Sequence, residues 1–248
     1  MGLAVLLLVA AVLGAGLVVR AVPTTRTRQW LKPLLVFSGA YLFTLTITHL
    51  LPEAVALQPA APQRIGYWVL AGFFVQLLLE ALSQGIEHGH LHNSGEADGR
   101  GQVPLALLLA LIVHALLEGS ILVHGAGVGG LGREFYAVTL GVALHHVPAA
   151  VALATLLRVR LGSMGRVWPW LGLFALASPA GLLFSNYVVL EQLLGGYYAA
   201  LLGFVAGTFL HVSTTILFET SPEHHHLNWP KLGATIAGAL LALGLSGL

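Results

Sequence analysis

Four polar residues that could bind a metal ion occur in two segments that are otherwise strongly apolar. The stretch VHALLEGSILVH contains His114 and Glu118, which are four residues apart and therefore lie on one face of a helix. The next apolar stretch contains His145 and His146. An ionisable side chain in hydrocarbon costs roughly 2.5 to 3.5 kcal/mol on insertion scales, so four of them indicate a function. Imidazole and carboxylate donors suit Zn²⁺ first, with Fe²⁺, Mn²⁺, Co²⁺, Ni²⁺ or Cd²⁺ as alternatives.

The composition indicates an integral membrane protein. The 248 residues are 57% hydrophobic and only 8% charged, whereas soluble domains carry about 25% charged residues. The chain has no cysteine, which excludes thiolate zinc sites, disulfides and iron–sulfur clusters, so imidazole and carboxylate must hold any metal. Twelve histidines stand against one aspartate. A formal net charge of +1 gives no indication of a nucleic-acid partner, and we expect none.

Eight apolar segments predict an all-α fold, a polytopic bundle of eight transmembrane helices that forms a single domain over residues 1–248. They lie near residues 2–20, 33–57, 65–86, 104–125, 135–157, 167–189, 196–218 and 231–248. The positive charges nearest the first segment follow it rather than precede it, so we expect a retained helix instead of a signal peptide.

Lysine and arginine are distributed unequally among the connections. The odd-numbered connections hold nine of these residues, and the even-numbered ones hold two, Arg64 and Arg133. Because cytoplasmic loops hold the excess of positive charge, both termini are expected outside the cell and the odd connections in the cytoplasm. The short connections favour a bacterial inner membrane. The lipid bilayer is the expected environment, and the sequence leaves open a homodimer.

The four central polar residues lie at one predicted depth. At about 1.5 Å per residue, all four fall within about 6 Å of the midplane. Pro148 removes a backbone hydrogen bond near the second pair, and we expect the helix to bend there. One intramembrane histidine alone could serve as a hydrogen-bond partner between helices, and His114 with Glu118 alone could be a structural pair. Two helices with matched donors favour a metal or proton site.

These segments resemble the paired metal-binding helices of the ZIP (Zrt/Irt-like) transporters. The family pattern is His-x-x-x-Glu-Gly followed by His-x-x-Pro-Glu, and the chain has HALLEG from His114 and HHVPA from His145. THLLPEA, FALASPAG and AGTFLHVSTTILFETSPEHHH resemble the family's second, sixth and seventh spans. The resemblance implies eight spans with outside termini and carrier-like import of a divalent metal, in which one helix group moves against another.

Two alanines depart from the family pattern. Many members place a polar residue where Ala115 stands and a carboxylate where Ala149 stands, and these groups help to hold a second ion. Alanine offers no donor. The resemblance therefore implies one intramembrane metal bound by His114, Glu118 and His145. His146 is expected to replace a ligand or to support one.

Other polar residues could mark a path for the ion. His49 and Glu53 share a face on the outer half of the second segment and could receive an ion, although a polar anchor at the interface explains them equally well. One face of the third segment presents Glu80, Gln84 and Glu87 toward the cytoplasm, as an exit path or as an amphipathic helix end. His211 lies roughly two turns below the midplane and could contribute to the exit or bond a neighbouring helix.

Two histidine clusters fall in odd-numbered connections, loops 87–103 and 219–230. They comprise His88, His90, His92, His224, His225 and His226. Such loops bind divalent metals loosely and reversibly, so we expect them to accept, buffer or sense the ion after passage. A hydrophilic spacer is the alternative interpretation.

The predicted function is import of a divalent metal, zinc first, as the transported substrate, with no organic cofactor and no enzymatic activity. The chain has no nucleotide-binding motif, so the energy would come from the metal gradient, the membrane potential or a coupled proton. Protons compete for the same donors, and binding should weaken in acid. The rival from another class is an intramembrane metal-dependent hydrolase or oxidase, but His-Glu-x-x-His is absent. A structural or proton-coupled membrane protein whose histidines bind no metal is a second rival.

Overall fold

A computed structural model describes residues 1–22, 24–83, 101–123, 133–189, 197–219 and 229–246. Every regular element within these residues is helical. Helices satisfy all their backbone hydrogen bonds internally, which is what long apolar segments require in lipid. The predicted all-α, polytopic bundle is confirmed.

The described residues contain nine α-helices. The helices are α1 (Gly2–Ala21), α2 (Thr24–Leu45), α3 (Leu51–Ala56), α4 (Gln63–Ser83), α5 (Leu105–Ser120), α6 (Arg133–Leu161), α7 (Met164–Phe184), α8 (Tyr197–Glu219) and α9 (Trp229–Ser246). A π-helical turn, Thr46–Leu50, joins α2 to α3, so the described residues form eight helical rods. A second π-helical turn, Ser185–Val189, extends α7.

Six of these rods are long and apolar enough to cross a membrane, and two more, at Leu105–Ser120 and Trp229–Leu245, are apolar but shorter. α5 ends at Ser120, five residues before the predicted end of the fourth segment. Its last turn closes with a backbone hydrogen bond of 3.1 Å from Leu122 N–H to the Gly119 carbonyl. α6 continues as one helix through Pro148.

The rods pack as two groups of four. In the first helix group, α5 packs on α7, α6 on α1, and α1 also on α7. In the second helix group, α4 packs on α8, and α2 packs on α9 and α8. The contacts that join the groups are chiefly those of α2 with α6 and of α4 with α5.

Glycine allows backbones to touch inside each group. A Cβ at Gly119 or Gly181 would overlap a backbone oxygen across the α5–α7 crossing. A Cβ at Gly72 or Gly207 would do the same across the α4–α8 crossing, and one at Gly238 would overlap α2 from α9. Small residues permit such approach between membrane helices. Each of these five glycines makes its backbone contact inside its own group.

A buried side chain joins the two groups where α2 crosses α6. Tyr41 of α2 is fully buried and donates a 2.8 Å hydrogen bond to the Ala137 carbonyl of α6. A Cβ at Gly141 of α6 would lie 2.8 Å from the Tyr41 ring. The crossing of α2 with α6 therefore depends on an aromatic side chain seated on a glycine.

Candidate metal site

α5 carries His114 and Glu118 on its buried face. The histidine is 2% exposed and the glutamate is fully enclosed. Gly119 lets α7 approach directly beside the glutamate, and Ser178 of α7 donates a 2.7 Å hydrogen bond to the Ala115 carbonyl. The helix segment that bears both polar side chains is therefore held against α7.

α6 carries His145 and His146, both buried. α6 packs mainly on α1 and α5 mainly on α7, so these two polar helices meet through their side chains rather than by close backbone packing. The His114 and His145 rings lie with centroids 5.7 Å apart and planes inclined at 78°. The space between α5 and α6 is where the polar side chains collect.

Three of the side chains bring donor atoms close enough to share an ion. One ligand atom each from His114, Glu118 and His145 lie within 4.8 Å of one another, and all three residues are buried. A tetrahedral zinc ion with bonds of about 2.0 to 2.1 Å holds neighbouring donors roughly 3.4 Å apart. Small side-chain adjustments would therefore bring these donors into a coordination shell.

The Glu118 carboxylate divides its two oxygens between neighbours. His146 Nε2 lies 2.6 Å from Oε2, and His114 Nε2 lies 3.1 Å from Oε1. Oε1 is enclosed, yet it accepts no hydrogen bond from any residue in the described part of the chain. An enclosed carboxylate oxygen without a donor is costly, and a cation would satisfy it. The chemistry of the donor set fits a divalent metal.

Sequence reasoning missed Gln76. This α4 residue is fully buried, and its Oε1 lies 2.9 Å from His114 Nδ1. The signal available in the sequence was an amide within an apolar stretch, one helical turn before Glu80. Its contact with a residue of α5 depends on how the helices cross.

The predicted path residues that the structure describes do not belong to the group of three central donors. The Glu80 carboxylate of α4 and His211 Nε2 of α8 are hydrogen-bonded, and the Phe73 ring packs edge-on against His211 with centroids 4.8 Å apart. His49 lies in the π-helical turn, where its Nδ1 is 2.7 Å from the Thr48 hydroxyl. Among the described residues, only the central three form a group of this size close enough to share an ion.

Several predicted residues lie outside the described part of the chain. They are Gln84, Glu87, His88, His90, His92, His224, His225 and His226. Their predicted roles in the exit path and in the loops stay predictions.

The fold and the buried donors define a class: a multi-pass membrane protein with a candidate His/Glu metal site between two of its helices. No protein-family model matches the chain. The chain is 30% identical over 178 residues to "Zinc transporter ZIP9" of Xenopus tropicalis, a match that covers 69% of this chain and 57% of the relative. It is 29% identical over 177 residues to "Zinc transporter ZIP9-A" of Xenopus laevis, covering 68% and 57%.

A third relative, "Zinc transporter ZIP9" of Micropogonias undulatus, is 30% identical over 201 residues, covering 73% of this chain and 63% of the relative. The chain thus spans about three-fifths of the length of the curated relatives it matches. The names of these relatives agree with the resemblance to the ZIP family that the sequence motifs indicate. The relatives are zinc transporters by name.

Proposed function

We propose that this protein transports a divalent metal ion, with zinc as its preferred substrate, through a single intramembrane site. The observation that carries the proposal is the convergence of buried donors from His114, Glu118 and His145 within 4.8 Å. The names of the relatives, which the chain covers only in part, support zinc as the substrate. The ion gradient, the membrane potential or a coupled proton supplies the energy.

The donor set explains both binding and release. Two neutral imidazoles and one carboxylate suit zinc, and they leave a fourth coordination position for water. One carboxylate against Zn²⁺ leaves a net charge of +1 in a medium of low dielectric, which limits the affinity and favours release. A carrier needs such a compromise, because an ion that is held too tightly does not leave.

His146 supports the site by holding the carboxylate. Its 2.6 Å contact with Oε2 leaves Oε1 of Glu118 directed toward His114. This geometry favours a supporting role for His146 over direct ligation. His146 contacts Oε2 of Glu118, whereas the metal would bind Oε1 of the same carboxylate. Groups of this kind typically change metal affinity about 10-fold to 100-fold when removed.

The site is proposed to hold one ion rather than two. Ala115 and Ala149 are buried, and their side chains offer no donor. Titration of the purified protein should give one tight zinc ion per chain, and Ala149→Glu, which restores the family's carboxylate, should add a second. Two tight ions in the unmodified protein, lost together in Glu118→Ala, would contradict the single site.

The proposed direction is import. The ion enters past His49 and Glu53, reaches the central donors, and leaves past Glu80 and His211 toward the histidine-rich loops. The outside termini rest on the charge count, and the bacterial inner membrane rests on the short connections. Because the chain has no cysteine, single cysteines introduced into successive connections would report the orientation by their reaction with an impermeant thiol reagent.

Uptake of radioactive zinc into proteoliposomes tests the function. His114→Ala and Glu118→Ala should abolish uptake that the unmodified protein supports. Thr155→Ala is the matched control, because Thr155 is a buried polar residue of α6 whose hydroxyl donates a hydrogen bond to the Val151 carbonyl of its own helix. Unchanged flux in the two site variants would eliminate the site. No flux in the unmodified protein would reopen the hydrolase or oxidase alternative.

A further inference from the structure

Gln76 places a buried amide at the boundary between the two helix groups. It lies on α4 of the second group, and its contact is His114 on α5 of the first. The next two residues of α4, Leu77 and Leu78, are 46% and 65% exposed, so this helix faces lipid on one side and the central site on the other. Burying an amide is costly unless it is hydrogen-bonded, and here the bond reaches a candidate metal ligand.

The contact between His114 Nδ1 and Gln76 Oε1 determines which nitrogen of the imidazole carries the proton. An amide oxygen can only accept a hydrogen bond, so Nδ1 of His114 carries the proton and donates it to Gln76 Oε1. In the neutral ring, the other nitrogen then carries the lone pair. That nitrogen, Nε2, is the one that lies 3.1 Å from Glu118 Oε1, on the side of the site. The hydrogen bond therefore presents the lone pair where a metal would be bound.

We propose that Gln76 is a positioning residue that fixes the tautomer and ring orientation of His114 for metal binding through Nε2. This inference rests on the proposed function and deepens it. Histidine ligands to metals almost always donate their second N–H to an oxygen acceptor, and loss of that acceptor weakens metal binding typically about 10-fold to 100-fold. The acceptor here is a neutral amide from a helix group that supplies none of the three donors.

Zinc titration of the purified protein in lipid nanodiscs tests the role of Gln76 with three variants. Gln76→Leu removes the acceptor and should weaken binding about 10-fold to 100-fold. Gln76→Glu keeps an oxygen acceptor and has no donor, so it should bind zinc at least as tightly as the unmodified protein. Leu77→Ala, the neighbour that faces lipid, should leave affinity unchanged. Equal affinity in Gln76→Leu, or a loss in Gln76→Glu as large as that in Gln76→Leu, would overturn the inference.

A double-mutant cycle separates positioning from general packing. In a His114→Ala background, titrated to millimolar zinc, Gln76→Leu should cause little further loss, because the imidazole that it positions is gone. Losses that simply add would overturn the inference. His114→Ala with undiminished affinity would instead refute the proposed site. Weakened binding in His114→Ala together with full affinity in Gln76→Leu would refute only the role of Gln76.

Discussion

The two helix groups contribute unequally to the chemistry of the protein. The first group supplies His114, Glu118, His145 and His146, whereas the second supplies Gln76 and the hydrogen-bonded pair of Glu80 and His211. Backbone contacts at glycines join helices inside each group, and side chains meet between the groups. An ion held at the centre would thus be bound by one group alone. The difference teaches that such an ion could travel with the first group, provided that the hydrogen bond from His114 to Gln76 breaks.

The largest expected effect is a loss of zinc affinity that distinguishes the three central donors from the pair of Glu80 and His211. His145→Ala and Glu118→Ala remove donors of the first group and should weaken zinc binding by more than about 100-fold, since even supporting residues account for 10-fold to 100-fold. His211→Ala in the second group should reduce zinc uptake while the central affinity is retained. Titration and proteoliposome flux on the same preparations measure both quantities. Equal loss of affinity in all three variants would remove the distinction between the groups.

The next largest effect is expected from acid, which should weaken zinc binding at the central site. Both histidine donors must be neutral to bind zinc, and an ordinary histidine has a pKa of about 6.5. Protons therefore compete below that pH, and affinity should fall between about 10-fold and 100-fold from pH 7.5 to pH 5.5. Zinc titration across this range measures the fall, with binding regained on return to pH 7.5. An affinity independent of pH would indicate that imidazole is not a ligand.

Overpacking at the α5–α7 crossing should have a moderate effect. A Cβ at Gly119 would overlap the Ser178 carbonyl oxygen, so Gly119→Ala should force α5 and α7 apart and destabilise the protein by about 1 to 3 kcal/mol. The shift also moves the adjacent Glu118, and zinc affinity should fall. Gly172→Ala in α7 is the matched control, because a Cβ there meets nothing within 4 Å. Thermal unfolding and zinc titration compare the pair, and equal behaviour would contradict the close crossing.

The smallest effect is expected from a change at the contact between the two helix groups. Tyr41→Phe removes the 2.8 Å hydrogen bond to the Ala137 carbonyl but keeps the ring on Gly141. The loss should be about 0.5 to 1.5 kcal/mol of stability, with zinc affinity unchanged, because no donor of the site moves. Thermal unfolding and zinc titration measure the two effects. A large fall in affinity would mean that the second group shapes the central site beyond Gln76.

Much of the fold could be predicted from the sequence, because apolar length and the placement of charge determine membrane helices directly. The central polar residues were conspicuous for the same physical reason: ionisable groups in hydrocarbon are costly and therefore rare. His114 and Glu118 share a helix face by spacing alone. That His145 lies near them follows from matched depth, and the structure does bring these three together.

Contacts that depend on helix crossings could not be predicted. Gln76 lies in an apolar stretch before a charged residue, which reads equally well as the end of an amphipathic helix. Nothing in the sequence spacing of Glu80 and His211 indicates that they pair across α4 and α8. The sequence does not determine the role of His146, because adjacent residues on a helix point in different directions and only packing selects which one faces Glu118.

Anomalous X-ray diffraction at the zinc edge, from crystals of the zinc-loaded protein, tests the central claim most directly. The account predicts one strong intramembrane peak between His114, Glu118 and His145, about 2.0 to 2.2 Å from a donor atom of each. The same crystals grown from Glu118→Ala should lack that peak. A zinc ion bound elsewhere in the membrane region, with these three side chains uncoordinated, would contradict the account.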